Sequence, residues 1–174
     1  MHFRLIAALA LLSMLLTLTA CGGDDNADQD DEGTEVTSPG ISVSDAWIRP
    51  AVLPQGSPTP DPDDDDARTG VISAMYMVIE NTGSQSVQLV GIETDVARVV
   101  ELHETRNENG LMRMRPVEQV DVPASGELAF QPGGYHVMLI DINRPLEAGD
   151  EVAVTLIFST GERVELPDVP VQDS

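Results

Sequence analysis

The sequence predicts an all-β domain, a β-sandwich or Greek-key barrel, on three observations. Short segments rich in Val, Ile, Leu and Met recur from Ile41 to Val171. Clusters of Gly, Pro, Asn and Asp separate them, as turns between strands require. No segment sustains a helical period over about 11 residues, the window an amphipathic helix needs. This stretch is long enough for one domain with a single core.

The punctuation sets the elements. Strands are expected near 41–48, 71–80, 86–93, 97–103, 111–117, 127–131, 135–141, 151–158 and 163–166. Asn81-Thr82-Gly83 closes the second of these, and Asn107-Glu108-Asn109-Gly110 separates the fourth from the fifth. Pro132-Gly133-Gly134 divides 127–131 from 135–141. Ala148-Gly149-Asp150 and Thr160-Gly161 bracket 151–158. Asn109-Gly110 favours a tight turn, so 97–103 and 111–117 are expected to form a long-looped hairpin. Residues 94–100 (TDVARVV) are expected to hold one turn of helix. Residues 51–69 interrupt the pattern: Pro54, Pro58, Pro60 and Pro62 lead into Asp63-Asp64-Asp65-Asp66. This is an acidic, solvated loop. It is not an EF-hand loop, because Asp66 stands where Gly is needed and Ile72 where the bidentate Glu belongs.

The N-terminal segment has another purpose. Arg4 is followed by an apolar run from Leu5 to Leu16, short for a bilayer span and typical of a secretory signal. It ends in Leu18-Thr19-Ala20-Cys21, which resembles a bacterial lipobox, a signal cut before a cysteine that carries lipid. The expected organisation is a signal over 1–20, lipidated Cys21 with an acidic tether over 21–40, and a domain over 41–174. Such a protein lies outside the cytoplasm, in the periplasm or on the cell surface, anchored to a membrane through Cys21.

Composition excludes several functions. Cys21 is the only cysteine, so the domain has no disulfide, thiol catalyst or thiolate metal site. A blue-copper centre, which needs a Cys ligand, is excluded too. The formal net charge is −21 and the chain contains no Lys. Removing 1–20 takes away one positive charge, Arg4, leaving about −22. That surface repels nucleic acid and anionic lipid and attracts cations or a basic partner. There is no Gly-x-Ser-x-Gly elbow, and nothing pairs a Ser with a His for hydrolysis.

Four residues carry a positive signal: His103, Met114, His136 and Met138, spaced His-x10-Met-x21-His-x-Met. Thioethers bind zinc and hard cations poorly, but together with imidazoles they suit Cu(I). His136 and Met138 are two apart on an expected strand and share a face. His103 is expected at the end of a strand and Met114 just after the following loop, so the ligands should meet at one rim of the sandwich. The competing reading makes Met114 and Met138 core filler and both histidines structural. Outside the signal, however, these are the only histidines. Met112 shares the expected face of Met114 and is a possible substitute. Met75 and Met77 read as core. A second metal set, Glu101 with His103 and His136, has the composition of a catalytic zinc site, but it leaves both methionines unexplained.

With these residues placed, the chain resembles the PCuAC family of periplasmic copper chaperones, whose motif has this spacing. Val43-Ser44-Asp45-Ala46-Trp47-Ile48-Arg49-Pro50 is similar to the family's opening segment. Tyr76-Met77-Val78-Ile79-Glu80-Asn81, Glu101-Leu102-His103-Glu104-Thr105, Gly133-Gly134-Tyr135-His136-Val137-Met138-Leu139 and Val154-Thr155-Leu156-Ile157-Phe158 resemble its later blocks. The resemblance implies a cupredoxin-like Greek-key β-sandwich. It implies Cu(I) held by His103, Met114, His136 and Met138; a protein that holds and hands over copper is not an enzyme, and a monomer is expected. It also implies delivery to the CuA subunit of cytochrome c oxidase, alone or beside a Sco-type thiol protein. Some members carry a His/Met-rich C-terminal tail. This chain ends Pro167-Asp168-Val169-Pro170-Val171-Gln172-Asp173-Ser174, so one copper per chain is expected. Two other functions fit the sequence: a copper buffer or resistance lipoprotein, and a metal-free interaction module.

Overall fold

The computed structural model describes residues 36–38, 40–54 and 69–173. The expected signal, Cys21 and most of the Asp-rich loop lie outside them. The described residues form eleven strands and no α-helix. In chain order these are β1 (Val36–Ser38), β2 (Ile41–Ile48), β3 (Ile72–Asn81), β4 (Val87–Thr94), β5 (Ala97–Glu108) and β6 (Leu111–Val117). Then follow β7 (Val120–Val122), β8 (Gly126–Phe130), β9 (Tyr135–Ile142), β10 (Glu151–Phe158) and β11 (Arg163–Pro170).

Two sheets face each other. One has the order β1-β2-β3-β8-β9-β5-β6, the other β11-β10-β4-β7. Alternate residues of each strand enter the space between them, as the period of two demands. Val43, Met75, Met77, Ile79, Val137 and Leu139 come from the first sheet. Leu89, Val154, Leu156, Phe158, Val164 and Leu166 come from the second. Met75 and Met77 are fully buried, as their place in an apolar strand predicts. Strand β3 is long enough to pair with two strands in succession. Ile72 to Met75 pair with β9, and Met77 to Asn81 pair with β8. The Pro132-Gly133-Gly134 turn lets β8 and β9 lie end to end along it. Gly133 takes φ +82 there, a conformation L side chains resist.

The fold class and all nine expected strands are present, with five differences. Residues 94–100 hold no helical turn. Asp95 and Val96 bend the chain, and Ala97 starts β5. Val99 and Val100 pair with Ile140 and Leu139, so the β-branched side chains pack on a sheet instead of crowding a helix. Strand β5 does not end at His103 but runs to Glu108. Its polar half is sheet because β6 pairs with it throughout, and Glu104 and Glu108 form ion pairs with Arg106, Arg113 and Arg115. The expected long loop shrinks to Asn109-Gly110, both at positive φ, the two-residue turn that matches strand twist.

The third difference concerns the tether expected over 21–40. Val36–Ser38 within it is strand β1, paired with Ile41 to Val43. The fourth concerns β11, which continues past Pro167 to Pro170. It is an edge strand, and its register shifts between Leu166 and Val169, where a proline costs no ladder bond. The fifth is strand β7, three residues long, which gave too little pattern to detect. The acidic loop is pinned where it leaves and rejoins the domain: Ala51 is bridged to Leu146, and Thr69 Oγ1 donates to the Ile142 carbonyl at 2.9 Å.

Candidate metal centre

The turn at Asn109-Gly110 fixes the register of the site. It sets Thr105 opposite Met114 and Asn107 opposite Met112. On the other side of β5, His103 pairs directly with His136 and Glu101 directly with Met138. Because residues two apart share a face, one patch of three adjacent strands carries Glu101, His103, Thr105, Met112, Met114, His136 and Met138. This is the face turned away from the second sheet, since Leu102 and Val137 point into the core. Trp47 and Tyr76, with ring centroids 4.6 Å apart, lie on the same face, two positions along β3 from Ala74, the partner of Met138.

The structure therefore brings His103, His136 and Met138 together on neighbouring positions of β5 and β9. The two imidazoles have centroids 5.7 Å apart. Met114 reaches the same face from the outermost strand, diagonal to His103. That separation is about 7–8 Å between Cα atoms, within reach of a long side chain. It differs from its partners in being 53% exposed, and Met112 is 58% exposed. Neither is core filler. His103 sits within a twelve-residue strand rather than at its end, so the site lies on a sheet face and not at a loop-built rim. The sequence concealed this because the polar residues after His103 look like loop.

His136 is 4% exposed. Its Nδ1–H donates to the Gly134 carbonyl at 3.1 Å, and the same carbonyl accepts the Thr105 N–H at 3.0 Å. The turn before β9 thus holds both the ring and the neighbouring strand. His103 has a 12% exposed side chain, and its Nε2 lies 2.8 Å from a Glu101 carboxylate oxygen. The two remaining ring nitrogens, Nδ1 of His103 and Nε2 of His136, are buried without a hydrogen-bond partner. A buried, unsatisfied polar atom costs about 1–3 kcal/mol. Two of them lie on one face beside a thioether, the donor types that suit a soft cation. The zinc set is not supported: among the described residues no group of three His, Cys, Asp or Glu side chains is placed to hold a metal. Glu101 bonds to His103 instead of converging with both rings.

Burial holds the His136 pKa below the ordinary value. The Gly134 carbonyl opposes this, and the charges of His103 and Arg49 reinforce it. Burial thus favours the neutral ring, the form a metal needs. The sign follows directly. A histidine with a lowered folded pKa contributes stability that is present above its unfolded value of about 6.5 and lost as pH falls through the folded one. The metal-free protein is accordingly expected to lose stability as pH falls from about 7 toward 5, and His136→Asn to flatten that dependence. Urea midpoints measured across this range check it; identical slopes for the two proteins would contradict it.

The sequence model of the family described as LpqE-like putative lipoproteins matches residues 41–171. The putative lipoprotein Lxx21020 of Leifsonia xyli subsp. xyli is 33% identical over 171 residues, spanning 98% of this chain and 91% of its own. The uncharacterized protein RP573 of Rickettsia prowazekii is 36% identical over 116 residues, 64% of this chain and 56% of that one. Among solved structures, the copper-bound PCuAC domain from PmoF2 aligns with a TM-score of 0.59 at 21% identity, covering 81% of this chain and 99% of that domain, and shows the shared fold. The Cu(I) form of DR1885 from Deinococcus radiodurans aligns with a TM-score of 0.53 at 27% identity, covering 82% of this chain and 81% of that one. The chain belongs to the LpqE-like lipoprotein family and shares its cupredoxin-like β fold with the PCuAC domains.

Proposed function

We propose that this protein holds one Cu(I) ion through His103, Met114, His136 and Met138 and passes it to an acceptor outside the cytoplasm. One observation carries the reading: two buried imidazole nitrogens with nothing to bond to, paired across β5 and β9 and flanked by Met138. Two thioethers stabilise Cu(I) over Cu(II), and two neutral imidazoles keep the ligand set uncharged. The exposed Met114 closes the site from solvent and is the ligand an acceptor displaces first. The copper-bound relatives support the choice of ion. Met112 lies one place further out on the same face. Met112→Leu is expected to leave the stoichiometry at one copper and the affinity within about threefold, less than 1 kcal/mol. A chelator competition measures this, and a large loss would make Met112 a ligand in its own right.

Holding and handing over need no bond chemistry, so the protein acts as a carrier rather than an enzyme. The lipobox at Cys21 and the lipoprotein family support anchoring at an extracytoplasmic membrane surface; we take the carrier to act as a monomer. The acceptor we infer is the CuA subunit of cytochrome c oxidase, with or without a Sco-type thiol protein. The acidic loop and tether steer a basic acceptor face, an effect that fades with salt. Deleting the gene separates delivery from buffering. Delivery predicts lost oxidase activity that added copper restores. A buffer predicts copper sensitivity with normal oxidase activity, and that result would overturn the delivery reading.

A further inference from the structure

The hydrogen bonds around the two rings distinguish their nitrogens. A carboxylate only accepts, so in the neutral His103 ring the Glu101 contact at 2.8 Å places the proton on Nε2 and leaves the lone pair on Nδ1. The Gly134 carbonyl likewise places the His136 proton on Nδ1 and leaves the lone pair on Nε2. The atoms selected in this way are the same two that are buried and unpartnered. The donor–acceptor pattern thus leaves one lone pair on each ring, and both of these nitrogens are buried from water.

Among the described residues, the Glu101 side chain makes its polar contact with His103. Glu101 is directly opposite Met138 and two residues from His103 on the same strand, so its carboxylate runs alongside the site, and the residue is only partly buried. As an oxygen donor it would suit a harder ion than Cu(I). As a hydrogen-bond acceptor it fixes the orientation of the imidazole and raises the basicity of the opposite nitrogen.

We propose that Glu101 is a positioning residue that commits His103 to bind copper through Nδ1, while His136 binds through Nε2. This rests on the copper reading above and adds the donor atoms and the residue that selects them. Glu101 withdraws one ring nitrogen from the metal and presents the other. The site is thereby half formed before the ion arrives.

Histidine-ring 1H–15N correlation spectra of the protein, before and after one equivalent of Cu(I) under anaerobic conditions, test the assignment. The His103 Nε2–H is expected in the copper-free protein and is expected to persist on loading, while the 15N signals of His103 Nδ1 and His136 Nε2 move. Glu101→Leu should weaken Cu(I) binding by about 10–100-fold, the usual effect of losing such a partner. Glu101→Gln, whose amide oxygen still accepts from Nε2–H, should recover part of that loss. Copper bound through His103 Nε2 with its N–H lost, or full affinity in Glu101→Leu, would overturn the assignment and leave the copper site standing. If neither ring's signals respond to Cu(I), the copper reading itself falls.

Discussion

Replacing both thioethers, Met114→Leu with Met138→Leu, is expected to lower Cu(I) affinity by about a thousandfold or more, roughly 4 kcal/mol. The fold should be little changed. Met and Leu are close in volume and such swaps usually cost less than about 1.5 kcal/mol. Met114 is exposed and Met138 is only partly buried on the outer face of the sheet, so neither fills the core. The loss comes from the ligands: two imidazoles alone leave a soft cation short of soft donors. Competition with a chromophoric chelator gives the affinity, and thermal unfolding shows whether the domain is intact. Unchanged binding would return these methionines to a packing role and favour a metal-free interaction module.

The opposite pattern is expected at Phe158. It is 1% exposed, pairs with Leu89 and belongs to the second sheet, behind the core from the site. Phe158→Ala should cost about 3–5 kcal/mol through lost burial and the cavity left behind. That is a large part of the roughly 5–15 kcal/mol that holds a typical domain together. The melting temperature should fall by about 10–20 °C, given the size of the domain. Any protein still folded should bind Cu(I) with near-normal affinity, because no strand carrying a ligand touches the cavity through its outer face. A small shift in melting temperature would mean that the packing of the second sheet has been misread.

The fold was legible wherever apolar periodicity and punctuation agreed. Strands β6 and β10 were placed to the residue: turn signals bracket β10, and Asn109-Gly110 opens β6. Legibility failed where tertiary pairing overrode local character. Residues 104–108 are polar and read as loop, yet cross-strand ion pairs with β6 make them sheet. Pro167 read as a strand end, yet an edge strand absorbs it at a bulge. Val36–Ser38 was hidden in an acidic stretch because three residues give no periodicity.

The candidate site shows the same division. The spacing of four residues named its members, and the two-residue period correctly joined His136 to Met138. The direct pairing of His103 with His136 was out of reach, because register depends on the long course of β5 and on a turn two residues tighter than the polar run suggested. Glu101 was weighed as a zinc ligand. Its bond to His103 Nε2 was not readable, since a sequence shows that two side chains share a face but not which atoms meet.

The most direct test of the central claim is X-ray absorption at the copper edge on the protein loaded with one equivalent of Cu(I). A monovalent edge and a first shell containing both sulfur and imidazole nitrogen are expected. With Cys21 lipidated or replaced by Ser, no thiolate remains, so that sulfur can come only from methionine. A shell of nitrogen and oxygen alone, with no sulfur scattering, would contradict that claim.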